Sequence, residues 1–150
     1  MDGYWSVLEP YWDRIDIYNG PETFLATYGE APSVVQTLFA AHWCESEVSN
    51  GGLHQFFMNP TGVLAPEAAE AFHKIGLHEA AGILERAMGF FGVPYPRQQQ
   101  DRVDRLETVS GATRLEWDPF MRFDEDLYAA FGQDHERLYD ALDRIAVAEQ

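Results

Sequence analysis

The stretch from Ser33 to Asn59, S-V-V-Q-T-L-F-A-A-H-W-C-E-S-E-V-S-N-G-G-L-H-Q-F-F-M-N, constrains this chain more than any other. Val34, Leu38, Ala41 and Val48 fall on one helical face, and Val35, Phe39 and Trp43 widen the apolar arc. A helix that is apolar around most of its circumference has to be surrounded, so the pattern predicts a central helix over 33–49. Pro32 followed by Ser33 and Gln36 reads as a capping box at its start. Asn50-Gly51-Gly52 ends it, because Gly, and to a lesser degree Asn, enters the left-handed region cheaply. Leu53, Phe56 and Phe57 then resume a short apolar helix. Helix, sharp turn, helix is the expected heart of the molecule.

The flanks carry the same period. Trp5, Leu8, Trp12 and Ile15 step by three and four residues behind a Ser6/Glu9 capping box. Glu9, Asp13 and Asp16 share a second face of that segment, where like charges cost a few tenths of a kcal/mol. Asn19-Gly20-Pro21 breaks the chain before a short helix from Glu22 to Tyr28, and Asn59-Pro60-Thr61-Gly62 makes a turn. Pro66 opens a helix with Ala68, Ala69 and Phe72, ending near Gly76. Leu77 to Phe91 forms another through Ala80, Ala81, Leu84, Ala87, Met88 and Phe91. Gly92 to Pro96 is an extended connection. Arg97 to Val109 is polar with Val103 and Leu106 as anchors, so it is placed on the surface, and Thr113 to Trp117 is a candidate short extended piece. Asp118-Pro119 starts a helix carrying Phe120, Phe123, Leu127 and Phe131 inward. Asp134 is the expected cap of the last helix, with Leu138, Ala141, Leu142 and Ile145 inside and Glu136, Asp140 and Asp143 outside. The sum is all-α: a compact single-domain bundle of seven to nine helices over residues 1–150.

Charge bounds the partners. Ten basic residues stand against 25 acidic ones, a net charge of −15. Residues 1–73 contain a single base, Arg14. Such a chain repels nucleic acid and anionic membrane, which leaves basic protein surfaces as complements. Solubility alone is the plainer account of the same acidity. No apolar run suits a membrane span, and Met1 to Trp5 lacks the basic start of a signal peptide. Cys44 is the single cysteine, which fits a packing residue in a reducing cytoplasm.

Catalytic motifs are missing from the sequence: it has no phosphate loop, dinucleotide fingerprint or nucleophile elbow. The five histidines, at 42, 54, 73, 78 and 135, offer one Glu70-x-x-His73 pair, and helical di-iron sites need two such pairs plus two further glutamates. No metal and no cofactor is expected. Glu47, Asn50, Gln55 and Asn59 form a polar set around the glycine turn. Two readings compete for them: satisfaction of local backbone groups, or a ligand, metal or catalytic pocket joined by His42 or His54.

The run Glu47-Val-Ser-Asn50-Gly51-Gly52-Leu-His-Gln55-Phe56-Phe57-Met-Asn59 resembles the signature of a family of small acidic bacterial DNA-mimic proteins of neisserial type, most members of which are a domain of unknown function. The Ala65-Pro66-Glu67-Ala68 helix, Lys74-Ile75-Gly76 and Ala80-Ala81-Ile83-Leu84 fit the same pattern, over about residues 33–91. The resemblance implies an all-helical fold and a dimer whose carboxylates imitate DNA phosphates and occupy a DNA-binding protein in transcription regulation. Glu9, Asp13, Asp16, Asp124, Glu125, Asp126, Glu136, Asp140 and Asp143 are the candidate phosphate mimics. The reading has two rivals: an enzyme or ligand module at the turn, and a helical scaffold. A globule of this length is about 40 Å across. Duplex DNA of that length carries about 24 phosphates, so mimicry requires clustered acids or a second copy.

Overall fold

One long helix, α3 (Ser33–Met58), runs through the middle of the protein, and five of the other helices pack directly against it. The computed structural model describes residues 3–109 and 118–148, so the candidate extended piece at 113–117 lies outside the described residues. Eight α-helices and no strand occur among the described residues: α1 (Tyr4–Leu8), α2 (Pro21–Glu30), α3, α4 (Ala65–Lys74), α5 (His78–Met88), α6 (Gln99–Glu107), α7 (Met121–Phe131) and α8 (Glu136–Ala148). The all-α bundle is as the sequence pattern requires. Leu38, Phe39, Ala40, Ala41, Cys44 and Val48 of α3 are all essentially inaccessible. Burial on every side is the structural meaning of its apolar circumference.

Alanine decides how closely the next layer approaches. Ala68, Ala69 and Ala71 bring α4 onto α3, while Ala80, Ala81 and Ala87 seat α5 against α4 and α7. Phe72 of α4 and Phe131 of α7 meet at 5.5 Å between ring centroids. Around Phe57 a second aromatic group gathers Phe91, Tyr95 and Phe120. On the other side, α1 lies against α3 and α8, and the Tyr4 N–H donates to Asp143 Oδ1 at 2.8 Å.

Both expected capping boxes are absent, each for a definable reason. The first helix begins at Tyr4, so Ser6 sits within its first turn and bonds the Gly3 carbonyl at 2.9 Å. Pro10 has no N–H to continue the α pattern, and Glu9–Arg14 tightens into a 3-10 turn before Ile15 becomes extended. Glu9, Asp13 and Asp16 therefore do not share a helical face. At α3 the cap position is Pro32, and Gln36 Nε2 reaches back to the carbonyls of Tyr28 (2.9 Å) and Ala31 (3.2 Å) at the end of α2. Asp134 stands in left-handed conformation (φ 53°) in the 3-10 turn ahead of α8.

The polar segment assigned to the surface holds the largest departure. Arg102 on α6 is completely buried, beside Leu106. Its Nε donates to the Phe57 carbonyl at 2.8 Å and its Nη2 to the Asn59 carbonyl at 2.9 Å. Nη1 reaches the carbonyls of Pro96 (3.2 Å) and Arg97 (2.6 Å). The guanidinium thus satisfies the carbonyls at the end of α3, where the helix has no further N–H to offer. It also lies over Gly62, where an added Cβ would stand 2.7 Å from Nε.

Candidate functional site

The glycine turn is a kink within α3. Gly51 (φ −152°, ψ 17°) and Gly52 (φ 77°, ψ −179°) leave helical geometry while the residues on both sides keep it. Gly52 needs glycine because its φ is positive, and Gly51 needs it because the Gln55 side chain fills the place of a Cβ. The kink releases backbone donors for the helix restart. The Leu53 N–H finds Asp124 Oδ1 of α7 at 2.8 Å, a buried bond across 71 residues of sequence.

Polar members of the motif bind one another. Glu47 is nearly buried, and its Oε2 accepts from Gln55 Nε2 at 2.7 Å and Asn59 Nδ2 at 3.0 Å. Asn50 Nδ2 donates to Gln55 Oε1 at 3.3 Å. One carboxylate ahead of the kink thus holds side chains from within and after the restarted helix, and Asn50 braces one of them, which pins the kink. Phe56 and Phe57 are fully buried beneath it. The expectation that these groups serve backbone atoms is corrected: Asp124 does that, and the motif's own amides serve Glu47.

A second carboxylate network, which the sequence reading does not contain, sits two residues earlier. Glu45 is nearly buried; its Oε1 accepts from Tyr139 Oη at 2.9 Å and its Oε2 from Ser49 Oγ at 2.9 Å. His135 Nδ1 lies 3.2 Å from the same Oε2. Burial and the Glu45 carboxylate push the Tyr139 phenol up to about 12. Beside it, Tyr4 and His42 form a 2.9 Å hydrogen bond, and burial holds the His42 imidazole below its usual pKa. The signal was present: a carboxylate on a helix apolar all round has to be buried and paired. A depression of about 520 Å³ between these networks is lined by Glu45, Glu47, Asn50, Gln55 and Tyr139, whose polar groups already hold one another.

The nine candidate phosphate mimics divide. Glu9, Asp13, Glu125, Asp126, Glu136 and Asp140 are exposed. Asp124 is buried on Leu53, so it is no surface group; it shares the stripe of Phe120, Leu127 and Phe131. Asp143 is half-buried on the Tyr4 N–H and not outward-facing as expected. Asp16 accepts from the Tyr18 N–H at 2.8 Å and Asn19 Nδ2 at 2.6 Å, and these bonds hold its carboxyl below the usual range.

Several basic residues are engaged by groups of the chain itself. Arg97 makes a two-pronged pair with Glu67 (2.8 and 2.9 Å) and bonds the Val63 carbonyl. Arg102 is buried, and Arg137 turns to the Ala129 and Ala130 carbonyls at the end of α7. Arg105 lies over the Phe90 ring at 4.2 Å. Among the described residues, fifteen Asp and Glu side chains are exposed against seven Lys and Arg.

Histidines do not converge on a metal. Glu70 pairs with Lys74 at 3.2 Å, while His73 meets His78 and Glu85 at the surface. No group of three or more His, Cys, Asp or Glu suited to a metal ion occurs among the described residues. No helix among them is long and apolar enough to cross a membrane. Cys44 is buried, and burial pushes its thiol well up.

A family model described as DMP19-like protein matches residues 29–145. No curated protein and no solved structure matches the chain.

Proposed function

The chain belongs to the DMP19-like protein family, and from that premise we propose that it is an acidic interaction protein that binds a basic DNA-binding protein by offering carboxylates in place of phosphates. The observation that carries this reading is the disposition of charge. Carboxylates outnumber bases two to one among the exposed side chains of the described residues, Arg97 and Arg102 spend their donors on Glu67 and on backbone carbonyls, and the exposed Arg137 is tied to the end of α7. Glu125 and Asp126 of α7 and Glu136 and Asp140 of α8 supply outward charge from two packed helices, and Glu9 and Asp13 add to it from the N-terminal segment. The kink motif acts as architecture beneath that surface, not as a reaction centre, because its polar atoms are bonded to each other.

The fifteen exposed acids among the described residues, spread over several helices, fall short of the roughly 24 phosphates on a comparable length of duplex. The proposal therefore includes a symmetric pair of chains that joins two acidic surfaces into one track. Immobilised protein at low salt should retain a basic DNA-binding protein that both high salt and added duplex DNA release. Retention of no such protein, or retention that duplex DNA leaves unchanged, would remove the reading.

A further inference from the structure

Where the N-terminal segment crosses α3, a cavity of about 310 Å³ opens that neither the kink motif nor the helical acids account for. Ile15, Ile17 and Phe39 are buried around it, and Trp12 and Trp43 line it with their indoles stacked 5.1 Å apart at 18°. Both tryptophans are only half-buried. Two aspartates, Asp13 and Asp16, and the exposed Tyr18 complete the lining.

These features select a cation on an apolar stem. Indole faces attract positive charge through the ring quadrupole, most strongly when water is displaced. Asp16 is held in place by the Tyr18 N–H and Asn19, and its own N–H is tied to Thr27 Oγ1 of α2 at 3.0 Å. Among the described residues no Lys or Arg lines the cavity, and the neighbouring Arg14 guanidinium stands over the Tyr11 ring, 5.2 Å from its centroid. The volume is at the small end of ligand sites, suited to one long side chain and too small for a polymer. Planarity then discriminates between the two basic side chains: a guanidinium can continue an indole stack and offer paired N–H donors to a carboxylate, which an ammonium cannot.

We propose that this cavity receives an arginine side chain of the basic partner, with the guanidinium stacked on the Trp12/Trp43 pair and bonded to Asp13 and Asp16. The partner's identity rests on the mimic reading; the pocket's chemistry does not. Phosphate imitation needs carboxylates alone, so an indole-lined socket adds a contact that persists at salt concentrations where the outer charges are screened.

The test is titration of the whole chain with N-acetyl-arginine amide, followed by the indole N–H resonances of Trp12 and Trp43, assigned through Trp12→Phe and Trp43→Phe. Saturable shifts in the millimolar range are expected with the arginine probe and none with the neutral citrulline analogue. The Asp13→Asn/Asp16→Asn double variant should weaken binding about tenfold. Asp13→Asn alone, at an exposed position, keeps the comparison available if the double variant unfolds. Equal binding of the lysine or citrulline analogue overturns the assignment, as does indifference of the indoles to arginine. A chain that ignores arginine yet captures a DNA-displaceable partner loses the pocket and keeps the mimic reading; one that binds arginine and captures no such partner does the reverse.

Discussion

The kinked centre and the acidic exterior use the same side chains in opposite ways. At the centre, Glu45, Glu47 and Asp124 are desolvated, and each has dedicated donors: Tyr139, Ser49 and His135 for the first, Gln55 and Asn59 for the second, the Leu53 N–H for the third. Outside, Glu125, Asp126, Glu136 and Asp140 stand in water. The run Asp124-Glu125-Asp126 puts both uses in three consecutive residues. Helical phase alone separates them, since Asp124 lies on the stripe of Phe120, Leu127 and Phe131 and its neighbours lie off it. Acidity in this chain is thus two properties, one that shapes the fold and one available to a partner.

Substitutions at the centre should damage stability, and those outside should damage binding. The largest effect is expected at Arg102→Ala, which vacates a buried volume, orphans the Phe57 carbonyl and leaves the Asn59 carbonyl to the Gly62 N–H alone. About 3–5 kcal/mol should be lost in urea unfolding, and a loss under about 1 kcal/mol would contradict the assigned role. Asp124→Ala should lose about 1–3 kcal/mol by orphaning the Leu53 N–H, while Asp126→Ala, exposed two residues on, stays within about 0.5 kcal/mol. If the two behave alike, the division fails.

Gly52→Ala forces a side chain into positive φ and should cost about 1–2 kcal/mol, whereas Gly29→Ala, in α2 with open space around it, should gain up to about 1 kcal/mol. A smaller effect concerns pH. The His42 imidazole is held below its usual pKa by burial, so the folded state resists a proton that the unfolded chain accepts. Its contribution is complete above the unfolded value of about 6.5 and is lost as pH falls from there toward the folded value. Thermal midpoints of His42→Phe should show a shallower fall over that window than those of the parent chain. The smallest effect on stability, and the sharpest on binding, is expected for Glu125→Gln with Asp126→Asn, Glu136→Gln and Asp140→Asn. Stability should hold or rise by a few tenths of a kcal/mol as like charges are relieved, while salt-sensitive capture of the partner is lost.

How far the sequence could be read follows the same division. Periodicity reveals α3 because its apolar arc exceeds what a surface helix shows, and Asn50-Gly51-Gly52 reveals the kink because few residues reach Gly52's conformation. Asp124 could have been placed inside by its phase, and Glu45 by its setting. Arg102 could not: Q-Q-Q-D-R-V-D-R looks solvated, and its burial depends on carbonyls more than 40 residues away. Asp143 likewise depends on Tyr4, at the far end of the chain. The capping boxes failed because the first helix starts at Tyr4, ahead of Ser6, and because Pro32 holds the cap position of α3. Surface clustering of acids is a tertiary property, and no spacing rule within one helix encodes it.

The two glycines also set a rotational phase. Every residue in a helix advances the next by about 100°, and the non-helical pair Gly51-Gly52 sets the phase from which the downstream segment carries Phe56 and Phe57, both fully buried, into the core. Deleting one glycine should swing the downstream segment around its axis, disturbing the burial of Phe56 and Phe57 and the reach of Gln55 and Asn59 to Glu47. The segment's length is negotiable; its angular offset is not, so insertions here should be tolerated, if at all, only in steps that restore whole turns.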